Sequence, residues 1–290
     1  MSPRDILIAF AIVLVWGANF VALKWSVAEI PPFMLTGLRY LFAALPAVFF
    51  IRRPQVPWRF MILYATFVGI LQFSFAFTAL KLGLPAGLSS LLIQVQVFFT
   101  FGLAVWLLGE RPGVLQIVGG LIAFAGIGVI ALERLEPTAL LPLLLMLASA
   151  FFWGVSNIIT KKAGKVDMLA LVIWSSLIPP IPMFLLSLVF EGPGAFPQAV
   201  GDLTLRGGFS LLFTAYLSTV FGYGLWAILL GKYPANVVAP FTLLVPIFGI
   251  GFSLVLLGET ISGIEVAGSA LVFAGLLVNV FGPRLVRKPA

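Results

Sequence analysis

Long apolar stretches alternate along this chain with short interruptions that are polar or carry proline. Ten apolar runs are legible, at residues 6–24, 33–51, 60–80, 86–108, 113–131, 139–160, 168–190, 208–230, 235–257 and 264–281. Each is near the roughly 20 residues that a helix needs to cross a bilayer. The interruptions are Pro31-Pro32, Arg52-Arg53-Pro54, Pro85, Arg111-Pro112-Gly113, Pro137, Gly164, Glu191-Gly192-Pro193 and Pro234, residues that remove a backbone donor or favour a turn. The runs are about twice the length of a barrel strand and do not alternate, which argues against a β-barrel. An open sheet would leave backbone groups unpaired in lipid. The pattern predicts an all-α, polytopic membrane protein.

The runs repeat. Residues 85–129 align with residues 234–278 at an offset of about 149, pairing Leu108-Gly109-Glu110 with Leu257-Gly258-Glu259, Gly119 with Gly268, and Phe124-Ala125-Gly126 with Phe273-Ala274-Gly275. Nearer the N-terminus the offset is about 137, pairing Trp16-Gly17 with Trp153-Gly154 and Lys24 with Lys161. About 12 extra residues between Glu191 and Arg206 account for the difference. The chain divides into a first five-helix repeat, 1–134, and a second, 135–290, within one integrated membrane domain. Five spans per repeat is an odd number, so the second copy enters from the opposite face. The expected architecture is therefore ten transmembrane helices in two inverted five-helix repeats, a build typical of transporters with a site between the halves.

Composition agrees: 61% of residues are hydrophobic and 9% charged, against roughly 25% charged in soluble domains. Neither Cys nor His occurs, which removes disulfides, thiolate chemistry and the commonest zinc ligand. No cofactor is expected. The net charge of +7 is read as loop charge rather than a nucleic-acid footprint. With the N-terminus in the cytoplasm, that side holds Arg4, Arg52, Arg53, Arg59, Arg111, Lys161, Lys162, Lys165, Lys232, Arg284, Arg287 and Lys288. The other holds Lys24, Lys81, Arg134 and Arg206, with Arg39 inside a span. This bias predicts cytoplasmic termini. The apolar run after Arg4 and Asp5 reads as a retained helix rather than a cleaved signal.

The glycines seven residues apart, Gly119/Gly126 and Gly268/Gly275, share a helix face and are read as close-packing positions. Gly109 and Gly258 suit helix ends, and Glu110 and Glu259 are read as caps of the following helices rather than as catalytic acids.

Ten spans in two repeats, with Trp16-Gly17-Ala18-Asn19 followed by Lys24, the Pro85-Ala86 and Pro234-Ala235 helix starts, and Leu-Gly-Glu before a Gly-rich span, resemble the EamA family of drug/metabolite transporters. The Phe-rich spans and overall length are similar to the YddG-like exporters of aromatic amino acids within it. The resemblance implies small-metabolite export across a bacterial inner membrane by alternating access. One departure is Val97 in the first repeat where the second has Pro246, so the two halves are expected to bend differently.

Polar groups inside spans are costly and mark candidate chemistry. The expected substrate site comprises Asn19, Gln72, Gln94, Asn157 and Tyr223 as hydrogen-bonding groups, with Phe75 and Trp226 as apolar walls. Pro240 and Pro246 are expected to bend the ninth span and free backbone carbonyls. Arg39 lies roughly 10 Å along its helix from Pro32, at 1.5 Å per residue. Of two readings, a partner for a substrate carboxylate or a side chain snorkelling to the interface, the sequence favours the second. Lys24 and Lys161 are read as interfacial, and Trp16, Trp58, Trp106 and Trp226 are compatible with interfacial belts.

The expected partners are a small-molecule substrate, an amino acid or related metabolite, and the lipid bilayer, with no nucleic acid; the oligomeric state is expected to be monomer or weak dimer. All carboxylates fall in loops or at span ends, so gradient-driven rather than proton-coupled transport is expected. The alternatives are a proton-coupled multidrug exporter and, from another class, an intramembrane enzyme acting on lipid or peptide. The latter is limited to Ser–Lys chemistry, and no such pair shares a depth.

Overall fold

The computed structural model describes residues 1–110, 113–164, 166–233 and 235–286, without the side chains of 137, 235, 236 and 283–286. Arg111, Lys165, Pro234, Arg287 and Lys288, used above for helix starts and loop charge, lie outside the described residues. The helices are α1 (Pro3–Glu29), α2 (Pro32–Ala44), α3 (Trp58–Lys81), α4 (Ala86–Leu108), α5 (Val114–Leu132) and α6 (Pro137–Ala163). There follow α7, in two pieces (Met168–Ser175 and Pro180–Phe190), α8 (Leu205–Lys232), α9 (Ala239–Leu257) and α10 (Gly263–Val286). No strand occurs among the described residues. Nine spans among the described residues are long and apolar enough to cross a membrane, that of α2 running on through a 3₁₀ turn to Phe49, and α7 makes the tenth as a broken span bent by 43°.

The span limits follow the apolar runs closely, and the deviations have local causes. α7 breaks where Pro179 and Pro180 withdraw consecutive backbone donors. The inserted segment after α7 forms a short helix, Ala195–Gly201. Caps mark several starts: Ser2 Oγ accepts from Asp5 N, Asp167 Oδ1 from Ala170 N, and Thr204 Oγ1 from Gly207 N. Gly109 and Gly258 close α4 and α9 at φ 67° and 64°, a left-handed conformation that favours glycine.

The duplication is visible in the packing. Gly119 faces Gly275, and Gly126 faces Gly268; a Cβ on either first-half glycine would lie 2.6 Å from the facing carbonyl oxygen. Gly119 is the counterpart of Gly268 and Gly126 of Gly275, so exchanging the halves maps these contacts onto one another. α5 and α10 thus cross antiparallel about a two-fold relation, as inverted repeats require. In lipid, where apolar burial gives no drive between helices, such backbone approach supplies the packing energy. The same symmetry sets Gly17 of α1 on Phe248 and Gly249 of α9, and Gly154 of α6 on Phe99 and Thr100 of α4.

Two features escape the apolar pattern. The middle of α3 (Ala65–Gln72) and of α8 (Phe213–Phe221) winds as π-helix, at equivalent positions of the two repeats. Such wide turns release carbonyls from the i−4 ladder and frequently mark functional sites. A second pair of interruptions is the 3₁₀ turns at Ile93–Val95 in α4 and Ala239–Leu243 in α9. Both spans loosen at this level, the second over a longer stretch, so the two halves differ here in degree.

Candidate functional site

The α4–α9 crossing lies at the centre of the two-fold relation. Pro246 has no N–H to give to the carbonyl four residues earlier, that of Thr242. Gln94 Nε2 supplies the missing donor at 3.0 Å. Of the carbonyls that prolines were expected to free, this one is taken by the protein itself, and Gln94 ties the two repeats together. Asn157 is engaged in the same manner. Its Nδ2 donates to Gln96 Oε1 at 2.7 Å and to Thr100 Oγ1 at 3.0 Å, joining α6 to α4. Pro246 is buried and Pro240 half-buried within the 3₁₀ stretch.

Of the remaining expected residues, Asn19 and Gln72 are buried and Phe75, Tyr223 and Trp226 half-buried. Asn19 Oδ1 and Gln72 Oε1 are buried and have no protein partner. Phe75 packs on Phe152, with ring centroids 5.2 Å apart. Tyr223 and Trp226 both lean on Trp16, at 5.5 and 5.2 Å. Trp16 Nε1 donates to Ser218 O at 3.0 Å, within the wide-wound part of α8. Trp16 and Trp226 are half-buried and packed on each other, whereas Trp58 and Trp106 are exposed, 50% and 78%.

Arg39 is the largest departure. It is 4% exposed and turns inward instead of reaching the interface. Its Nη2 donates to Thr219 Oγ1 at 3.1 Å, and its guanidinium carbon sits 3.7 Å from the Phe73 ring centroid. With Tyr40, Tyr64, Phe73, Thr219 and Tyr223 it lines a narrow cavity between α2, α3, α7 and α8, with room for about one water molecule. The sequence offered one signal, an arginine well inside an apolar run, and the snorkelling reading misjudged it. Position along a helix does not say which face the residue occupies.

The two ends of the bundle differ. At the end away from the termini, Glu259 accepts from Ala86 N at 2.7 Å and Gly87 N at 3.1 Å, holding the start of α4. The Leu-Gly-Glu glutamate thus caps a helix of the other repeat, not the following one. Lys24 Nζ donates to Leu80 O and Leu84 O, each at 2.9 Å, capping the end of α3. Ser90 is fully buried against Gly249. At the termini end, the counterparts Lys161 and Glu110 form an exposed ion pair with each other, and Ala239, the counterpart of Ser90, is exposed. The bundle is sealed at one end by contacts whose symmetry mates are loose at the other.

The profile of the EamA-like transporter family matches residues 4–132 and again 140–281. A Salmonella typhimurium protein named "Probable amino-acid metabolite efflux pump" is 42% identical over 99% of this chain and 98% of its own length. An Escherichia coli protein of the same name is 40% identical over 98% and 97%. An uncharacterized transporter of Bacillus subtilis, YoaV, is 25% identical over 93% and 94%. A solved crystal structure superposes over 100% of both chains with a TM-score of 0.64 at 20% identity, which bears on the fold alone.

Proposed function

This chain belongs to the EamA-like transporter family, and we propose that it exports amino acids or closely related neutral metabolites, aromatic ones included, by alternating access. The observation that carries this reading is the unequal fate of symmetry-related contacts. Ser90 is buried against α9 while its counterpart Ala239 is open. A two-fold molecule with one end sealed and the other loose has a second state of similar energy available, with the roles of the ends exchanged. In that state Glu110 takes the backbone N–H groups at the start of the ninth span, as Glu259 now takes those of Ala86 and Gly87. Lys161 then caps α8 as Lys24 now caps α3.

The loop charges orient this cycle. With cytoplasmic termini in the bacterial inner membrane, the loose end faces the cytoplasm, ready to receive a solute for export. The solute lies among Asn19, Gln72, Phe75, Tyr223 and Trp226, while Gln94, Asn157, Pro240 and Pro246 shape the crossing that moves around it. The relatives' names support amino-acid metabolites as cargo, and amide and hydroxyl groups suit a zwitterion. Purified protein in liposomes, offered labelled neutral amino acids, nucleosides and organic cations, tests the proposal. Saturable flux of the amino acids is expected; flux confined to the other classes would overturn it.

A further inference from the structure

Burying a charge without a partner is expensive, and such a side chain in a membrane span calls for an explanation. Arg39 is such a charge. One N–H is committed to Thr219, while Nε and Nη1 are buried and have no protein partner. Every acidic residue of the chain lies at a helix end or in a loop, and no ion pair among the described residues includes Arg39. The Phe73 ring covers one face of the guanidinium. Apart from Arg39, the polar side chains around the cavity are hydroxyls, those of Tyr40, Tyr64, Ser175, Thr219 and Tyr223, set among apolar residues. The site is cationic, carries hydroxyl donors and lacks an internal anion.

Resting on the amino-acid reading above, we propose that Arg39 binds the carboxylate of the transported solute, so that the cargo class is carboxylate-bearing rather than amine-bearing. Its free N–H groups take the carboxylate oxygens in charge-assisted hydrogen bonds, and Thr219 orients the guanidinium. Small turns of the Phe73 and Tyr223 rings, which wall the narrow cavity, admit the carboxylate. The rest of the solute then lies toward Trp16, which packs on Tyr223, and toward Trp226, which packs on Trp16. The arrangement supplies no carboxylate for an ammonium group, so the amine is dispensable for recognition and the acid is not.

Competition against labelled phenylalanine flux in liposomes tests this directly. Phenylpropionate, which keeps the acid and lacks the amine, should compete within a few-fold of phenylalanine. Phenylalaninamide and phenethylamine should compete at least about tenfold more weakly, the loss expected when a charge-assisted bond is removed. Arg39→Gln should raise KM and abolish the preference for acid over amide, while Arg39→Lys should retain part of it. If the amide competes as well as the acid, or if Arg39→Gln keeps the preference, the proposal is overturned. Should Arg39→Gln fail to insert, the wild-type competition decides alone. A complete lack of amino-acid flux would instead overturn the carrier reading and this inference with it, whereas flux without discrimination overturns the Arg39 role alone.

Discussion

Gln94 Nε2 donates to the carbonyl oxygen of Thr242 across 3.0 Å, and that oxygen is available because Pro246, four residues on, has no N–H. One side chain of the first repeat thereby repairs the backbone of the second, at the crossing about which the halves are related.

Removing that donor should cost stability as well as transport. Gln94→Leu leaves the Thr242 carbonyl unpaired in an apolar setting, a loss on the order of 1–3 kcal/mol. Pro246→Val, which places in the second repeat the residue found at position 97 of the first, restores an N–H four residues after Thr242. The double variant should therefore unfold at a higher temperature in detergent than Gln94→Leu alone. A double variant no more stable than the single would show that the Thr242 carbonyl is not the partner that matters.

The helix pair α5–α10 should be intolerant of bulk at its glycines and tolerant elsewhere. Gly126→Leu drives a side chain into the Gly268 carbonyl, an overpacking cost of roughly 1–3 kcal/mol or more. Gly128, on the same helix with open space around its Cβ position, should accept alanine with a gain of roughly 0.5–1 kcal/mol. Folded yield by size-exclusion chromatography separates the two. Equal yields would mean that α5 and α10 do not cross at these glycines.

Much of this fold is legible in the residue pattern because a bilayer demands long apolar runs and tolerates little else. The ten spans, the duplication and the Gly119/Gly126 crossing face follow from that demand. The π-wound stretches of α3 and α8 do not, since Ala65–Gln72 and Phe213–Phe221 read as ordinary apolar helix. Long-range partners were also hidden. Nothing local to Glu259 says that it caps the start of α4, 173 residues away, and nothing around Gln94 names Thr242. Arg39 was visible as an anomaly but misjudged, because its inward face is set by how α2 packs against α3 and α8.

Flux should not depend on a titrating carboxylate. The acidic groups Asp5, Glu29, Glu110, Glu191, Glu259 and Glu265 sit at helix ends and are held by backbone N–H groups, hydroxyls or basic side chains. A pH-sensitive dye trapped in liposomes should record no proton movement stoichiometric with amino-acid flux. A proton signal abolished by one Asp-to-Asn or Glu-to-Gln change would establish coupling that this arrangement does not anticipate.

The latches should be exchangeable. Glu259→Gln weakens the charge-assisted hold on Ala86 N and Gly87 N, so it should bias the protein toward the state open at the end away from the termini. Glu110→Gln should bias it toward the state described here. Matching effects of both variants on the exposure of one end would contradict the two-fold exchange of roles.

Alternating access about the α4–α9 crossing is tested most directly by labelling single cysteines at the symmetry-related positions 90 and 239, in a chain that has no native cysteine. Without solute, Ala239→Cys should react readily with a thiol reagent and Ser90→Cys slowly, following their exposed and buried environments. Saturating amounts of a transported amino acid should change the two rates in opposite directions, because closing one end opens the other. Rates that stay fixed with solute present, or that rise and fall together, would contradict a two-state exchange between the ends.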